Sequence, residues 1–207
     1  MRNMICTAVV GACAAAVPCV ADVILDQPST NVTGYTSQDF TDNPAFTGSC
    51  FDDFTIGSTY NLTSLRVYGT DSGSSSANLD VIARIFTTPN LSGIALATVS
   101  GTQSGQDLSF DLTGVTLGAG TYWISAQIVR PLSGGQWFWY SSSTTNGAHA
   151  MFHNPGGGFG VGGDPVSTAA IGMNEYDMAF TLEGTVPAPG AIAVLAAAGL
   201  MRRRRRD

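Results

Sequence analysis

Asp107-Leu108-Ser109-Phe110-Asp111-Leu112 decides the class of this fold. Leu108, Phe110 and Leu112 recur at every second position, with two aspartates and a serine among them. Successive side chains of an extended chain point to opposite faces, so this segment has one apolar face and one wet face. That is the pattern of a half-buried strand. Residues 122–128 repeat it, with Tyr122, Ile124, Ala126 and Ile128 expected inward. Residues 177–183 do so again, with Met178, Phe180 and Leu182 inward. Further strands are expected at 23–25, 50–56, 62–68, 79–86, 94–99, 136–141 and 148–152. Turn-forming residues separate them at 69–73, 88–90, 117–120 and 133–135. Short strands spaced in this way argue for one all-β domain, an antiparallel β-sandwich of jelly-roll type. The glycine-rich stretch 154–163 reads as a mobile surface loop, and Gly156-Gly157-Gly158 lacks the helix and lysine of a phosphate cradle.

Both ends read as addresses. Arg2 precedes an uncharged apolar run from Ile5 to Val17, and Cys19-Val20-Ala21 offers small residues for cleavage before Asp22. That is the pattern of a secretory signal peptide spanning 1–21, the substrate of signal peptidase. Two other readings stay open: an uncleaved apolar helix, and a lipoprotein through Val10-Gly11-Ala12-Cys13. At the other end stand Val186, Pro187, Ala188, Pro189 and Gly190, then an apolar run from Ala191 to Met201. Arg202, Arg203, Arg204, Arg205 and Arg206 follow as a cytoplasmic stop. The run is shorter than the ~20 helical residues that cross a bilayer comfortably, which suits a transient hold.

This three-part tail, 185–207, resembles the PEP-CTERM sorting tail of exported bacterial proteins. The resemblance implies processing by an exosortase-like membrane protease. It departs at Ala188, where the family's motif carries Glu. The region 22–184 is similar to the exported domains that precede such tails. The similarity runs through Phe51-Asp52-Asp53-Phe54, 120–125, Gln136-Trp137-Phe138-Trp139 and 177–184. It implies no catalytic residue.

Between the two ends there are three arginines (Arg66, Arg84, Arg130), no lysine and fourteen acids, a formal charge of −11. Such a surface repels phosphate backbones and excludes nucleic acid as a partner. Cys6, Cys13 and Cys19 belong to the signal segment, and Cys50 alone cannot make an internal disulfide. It reads as a small buried residue.

Trp137, Phe138, Trp139 and Tyr140 form the densest aromatic run. On a strand Trp137 and Trp139 share a face, which is either core or a platform for stacking on sugar rings. Asp52 and Asp53, adjacent on a strand, point to opposite faces and do not make an acid–base pair. Asp71, or Glu175 with Asp177 and Asn174, offers oxygen ligands for Ca²⁺, although no twelve-residue calcium loop is present. His149 and His153 are too far apart in an extended segment for one metal ion, and no Gly-x-Ser-x-Gly elbow marks a hydrolase.

The expectation is an exported protein of the cell envelope, outer surface or extracellular matrix. Its role is structural or adhesive among exopolysaccharides, without catalysis. The alternatives are a carbohydrate-binding module using Trp137 and Trp139, and a secreted hydrolase with a jelly-roll body.

Overall fold

The computed structural model describes residues 21–72, 78–89, 93–173 and 177–187. The signal segment up to residue 20, Asn174, Glu175, Ala188, Pro189, Gly190 and the arginines 202–206 lie outside the described residues. Among the described residues the first strands are β1 (Asp22–Gln27), β2 (Ser29–Thr36), β3 (Gln38–Asp39), β4 (Ser49–Ile56), β5 (Tyr60–Val67) and β6 (Gly69–Asp71). Next come β7 (Asp80–Phe86), β8 (Ala97–Ser100), β9 (Thr102–Ser104), β10 (Asp107–Asp111), β11 (Thr116–Leu117) and β12 (Gly120–Val129). The last are β13 (Trp137–Ser142), β14 (Met151–His153), β15 (Val166–Ser167), β16 (Asp177–Met178) and β17 (Phe180–Thr185). Short 3-10 turns supply the helical content of these residues, and no helix among them is long and apolar enough to cross a membrane.

The architecture is all-β, with antiparallel sheets packed as a β-sandwich. One sheet runs β1-β17-β5-β10-β9, with β11 also on β5. The second runs β15-β14-β4-β12-β7-β8, with β3 joining β12 in parallel. The third is β16-β13-β2, with β6 on β13. All three contribute to one core: Leu65, Val67, Leu108 and Phe180 from the first sheet, Phe54, Ile85, Ile124 and Ile128 from the second, Trp137, Trp139 and Met178 from the third. Burying each of these side chains stabilises the fold by roughly 1.5–3 kcal/mol.

The alternating segments fold as read. Leu108, Phe110 and Leu112 are buried, as are Ile124, Ala126, Ile128, Met178, Phe180 and Leu182. Tyr122 is only half-buried, its ring tilted against Phe54 at 5.7 Å. The segment 177–183 is not one strand. It breaks at Ala179, so that β16 pairs β13 while β17 pairs β1 and β5.

β5 departs from simple alternation. Leu62 and Leu65 both face the core although three residues apart, because the register against β17 shifts between Glu183 and Gly184. Glu183 pairs Ser64 and Gly184 pairs Leu62, which leaves Thr63 as the extra residue of a β-bulge. Gly184 fits here because an added Cβ would stand 2.7 Å from Ile24 Cδ1 and 2.9 Å from the Asn61 carbonyl oxygen.

The turn reading at 69–73 is corrected. That segment contains β6, which pairs with Trp137, Phe138 and Trp139. Gly69 lies under the Trp137 indole, where a Cβ would meet ring atoms at 2.3 Å. The glycine-rich stretch 154–163 is an exposed surface loop, as expected, and is anchored at its first residue. The Asn154 side chain is buried and donates to the Ala45 and Thr47 carbonyls at 2.9 and 2.8 Å, while its oxygen accepts the Phe159 N–H at 2.9 Å. Phe159 packs edge-on against Phe46 and Phe152.

Trp139 is fully buried, donates its indole N–H to the Ala179 carbonyl at 2.8 Å and meets Phe180 edge-on at 6.3 Å. Trp139→Ala is expected to destabilise the protein by about 3–5 kcal/mol through cavity formation. Chemical denaturation checks this, and a loss below ~1 kcal/mol would place Trp139 outside the core.

Candidate functional site

The tryptophan face of the aromatic strand is not a binding platform. Trp137 and Trp139, the pair expected to stack on sugars if exposed, are both fully buried. Their indole N–H groups are satisfied inside the protein, Trp137 by the Gln106 carbonyl at 2.8 Å and Trp139 by Ala179. The reason is the third sheet: β13 is paired on both edges and packs its tryptophan face into the shared core.

A groove lies instead on the outer face of the first sheet, with a volume of about 710 Å³. Its floor follows from the same alternation that builds the core. With Leu65 and Val67 inward, Ser64, Arg66 and Tyr68 stand outward. The register then aligns two rows across the strands. One runs Asp26–Thr181–Arg66–Ser109–Thr102, the other Glu183–Ser64–Asp111.

Hydrogen bonds fix these side chains. The Tyr68 hydroxyl and Thr181 Oγ1 are 2.8 Å apart, and Thr181 donates to Asp26 at 2.7 Å. Ser64 donates to Glu183 Oε2 at 2.5 Å. Arg66 donates twice to Asp107 Oδ2, at 2.7 and 3.2 Å, and its guanidinium lies 5.2 Å from the centre of the Tyr68 ring. Seven of the thirteen lining residues carry a hydroxyl. The hydroxyl of one of them, Thr63 at the bulge, is enclosed and has no hydrogen-bond partner.

Asp111 is held below the usual carboxylate range by its bonds from Thr113. The carboxyls that are raised lie elsewhere, in the protein interior. Asp52 is buried and accepts from the Gln27 amide at 2.7 Å and the Met178 N–H at 2.8 Å. Burial, then the nearby Asp177 charge, pushes it well above its ordinary value against those two bonds. Asp53 accepts the Ala148 N–H at 2.8 Å and is raised by burial. Asp177 accepts the Asn146 N–H, and burial raises it to about 6. Asp52 and Asp53 therefore serve separate partners, and neither lines the groove.

The Ca²⁺ candidates are not brought together. Asp71 pairs with the buried Arg130 at 2.9 Å, and Asp177 is occupied by the backbone. Among the described residues no group of three or more His, Cys, Asp or Glu is placed to hold a metal ion. His153 hydrogen-bonds the Gly163 carbonyl at 2.8 Å and packs near Phe51, and neither histidine lines the groove. Cys50 is buried, and that burial raises its thiol far above its ordinary value.

Sequence reading missed Ser64, Arg66, Tyr68 and Thr181 as a site. Their outward positions were legible one strand at a time, but not which strands lie side by side. No protein-family model matches the chain, and no curated protein matches it either.

The raised interior carboxyls give a pH dependence with a definite sign. A carboxyl with a raised folded pKa binds its proton more tightly folded than unfolded. Its stabilising effect is complete below the unfolded value of ~4 and is lost as pH rises through the folded value, which for Asp177 is about 6. The thermal midpoint is expected to be higher near pH ~5 than near pH ~7.5, and Asp177→Asn to narrow that gap. Calorimetry at the two pH values checks it, and a midpoint that rises with pH would contradict it.

Proposed function

We propose that the chain is an exported, non-enzymatic protein of the cell surface or extracellular matrix, delivered by a signal peptide and sorted through a PEP-CTERM-like tail. The observation that carries this reading is the order Pro-x-Pro, apolar run, arginine block after a domain bearing a strong negative charge. The pairing of Asp22 with Gly184 adds support. The two expected processing points leave the sandwich on neighbouring strands at one end, so a tether there leaves the remaining surface turned away from the membrane. Signal peptidase acts at Ala21 and an exosortase-like protease near Pro187.

The sandwich is of jelly-roll type in this reading. Support comes from the strand orders β1-β17-β5-β10 and β4-β12-β7-β8. In the first, β17 returns between β1 and β5. In the second, β12 returns between β4 and β7, and this interleaving of a late strand into both sheets is the order expected of a jelly roll.

Adhesion among exopolysaccharides is the role that fits. The carbohydrate-binding alternative moves from the tryptophans to the groove on β17, β5 and β10, where polar side chains are presented outward. The hydrolase alternative would have to use the two groove carboxyls, Glu183 and Asp111, since Asp52, Asp53 and Asp177 are enclosed in the interior.

Fractionation of the native host with mass spectrometry of both mature termini tests the reading. A product that begins at Asp22, lacks the arginine block and is found at the surface is expected. A full-length product in the cytosol would overturn it.

A further inference from the structure

We propose that the outer-face groove of the first sheet is a binding site for a neutral polysaccharide, with Ser64, Tyr68, Thr181 and Glu183 as its contact residues. The proposal deepens the adhesive reading and rests on it only for where the ligand is met.

The chemistry of the lining points to this ligand class. Sugars present donors and acceptors at short intervals, and a wall dominated by hydroxyls answers both because each hydroxyl donates and accepts. Glu183 and Asp111 stand two strands apart with Ser64 between them, a backbone span of roughly 9.5 Å. They offer carboxyl oxygens as acceptors on either side of the groove. The volume of about 710 Å³ falls within the span of small-ligand sites.

Charge selects neutral glycans over anionic ones. Arg66 is the cation of the lining, and its guanidinium is already paired with Asp107. Against it stand Glu183 and Asp111 in the groove and Asp26 and Asp107 beside it. Uronate or sulfate groups would meet net repulsion, and the surrounding domain adds to it.

Preorganisation favours affinity. The Tyr68 hydroxyl is held by Thr181 and its ring by the Arg66 guanidinium. An aromatic ring fixed in this way loses little rotamer freedom when an apolar sugar face packs on it.

The test is affinity electrophoresis of the purified chain through gels containing a neutral glucan, a neutral galactomannan or alginate, followed by calorimetric titration with the retarding polymer. Retardation by a neutral polymer and none by alginate is expected. Glu183→Gln and Tyr68→Ala are each expected to weaken binding about tenfold, the loss of one well-placed hydrogen bond or ring contact. Tyr68→Phe keeps the ring, loses the hydroxyl and serves if Tyr68→Ala unfolds; it is expected to bind more weakly than the unsubstituted protein. An unchanged thermal midpoint for Glu183→Gln shows that its effect is local. Failure of both neutral polymers to retard the chain would overturn the proposal, as would preference for alginate or retardation indifferent to Glu183→Gln. Correct surface delivery without glycan binding refutes this proposal alone, and glycan binding by a protein retained in the cytosol refutes the export reading alone.

Discussion

β5 and β17 are hydrogen-bonded neighbours up to one point, where the rest of the structure is decided. At Tyr68 and Ala179 both strands hand over to β13. Tyr68 donates its N–H to the Ala179 carbonyl at 3.1 Å, Tyr140 donates to the Tyr68 carbonyl at 2.9 Å, and Ala179 donates to the Tyr140 carbonyl at 2.8 Å. These three backbone bonds join the first sheet to the third. Ala179 accepts a further bond from the Trp139 indole at 2.8 Å, which ties the junction to the core. Buried backbone groups must find partners, and here that demand forces the chain to change sheets between β16 and β17 and between β5 and β6.

The division between core and groove follows from this junction. Beyond it, β13 turns Trp137 and Trp139 inward, where they complete a core shared by three sheets. Before it, β5 sends Leu65 and Val67 into that core and presents Ser64, Arg66 and Tyr68 outward. Tyr68 is the hinge residue of this arrangement, since its backbone belongs to the junction and its ring to the groove. The acids divide along the same line. Asp52, Asp53 and Asp177 are enclosed, bonded to backbone N–H groups and raised. Asp111 is open and held low. A protein arranged in this way keeps its proton-holding groups for the interior and offers its surface a set of carboxyl and hydroxyl acceptors.

The sequence was most legible where the two faces of a strand differ in chemistry. Leu108, Phe110 and Leu112 announce their side because Asp107, Ser109 and Asp111 announce the other. β2 shows no such contrast. Its residues Ser29–Thr36 are mostly polar, and it holds its place because Gly34 lets the chain approach Phe138, where a Cβ would stand 2.9 Å from the Phe138 Cβ. β6 was read as a turn from Gly69-Thr70-Asp71, since a glycine that makes room for an indole looks the same in sequence as one that makes a bend. The tryptophan strand shows alternation but not which side a further sheet will cover. The groove was hidden for a related reason. Arg66 and Thr181 are neighbours only because residues far apart in sequence pair across β5 and β17, and local pattern carries no such information.

The claim at the centre of this account is that the junction turns Tyr68 outward and the two tryptophans inward. Hydroxyl-radical footprinting with mass spectrometry reads both at once on the folded protein. Oxidation of Tyr68 with Trp137 and Trp139 spared until the protein unfolds is the result the account predicts. Rapid oxidation of Trp137 and Trp139 in the native state, with Tyr68 protected, would contradict it.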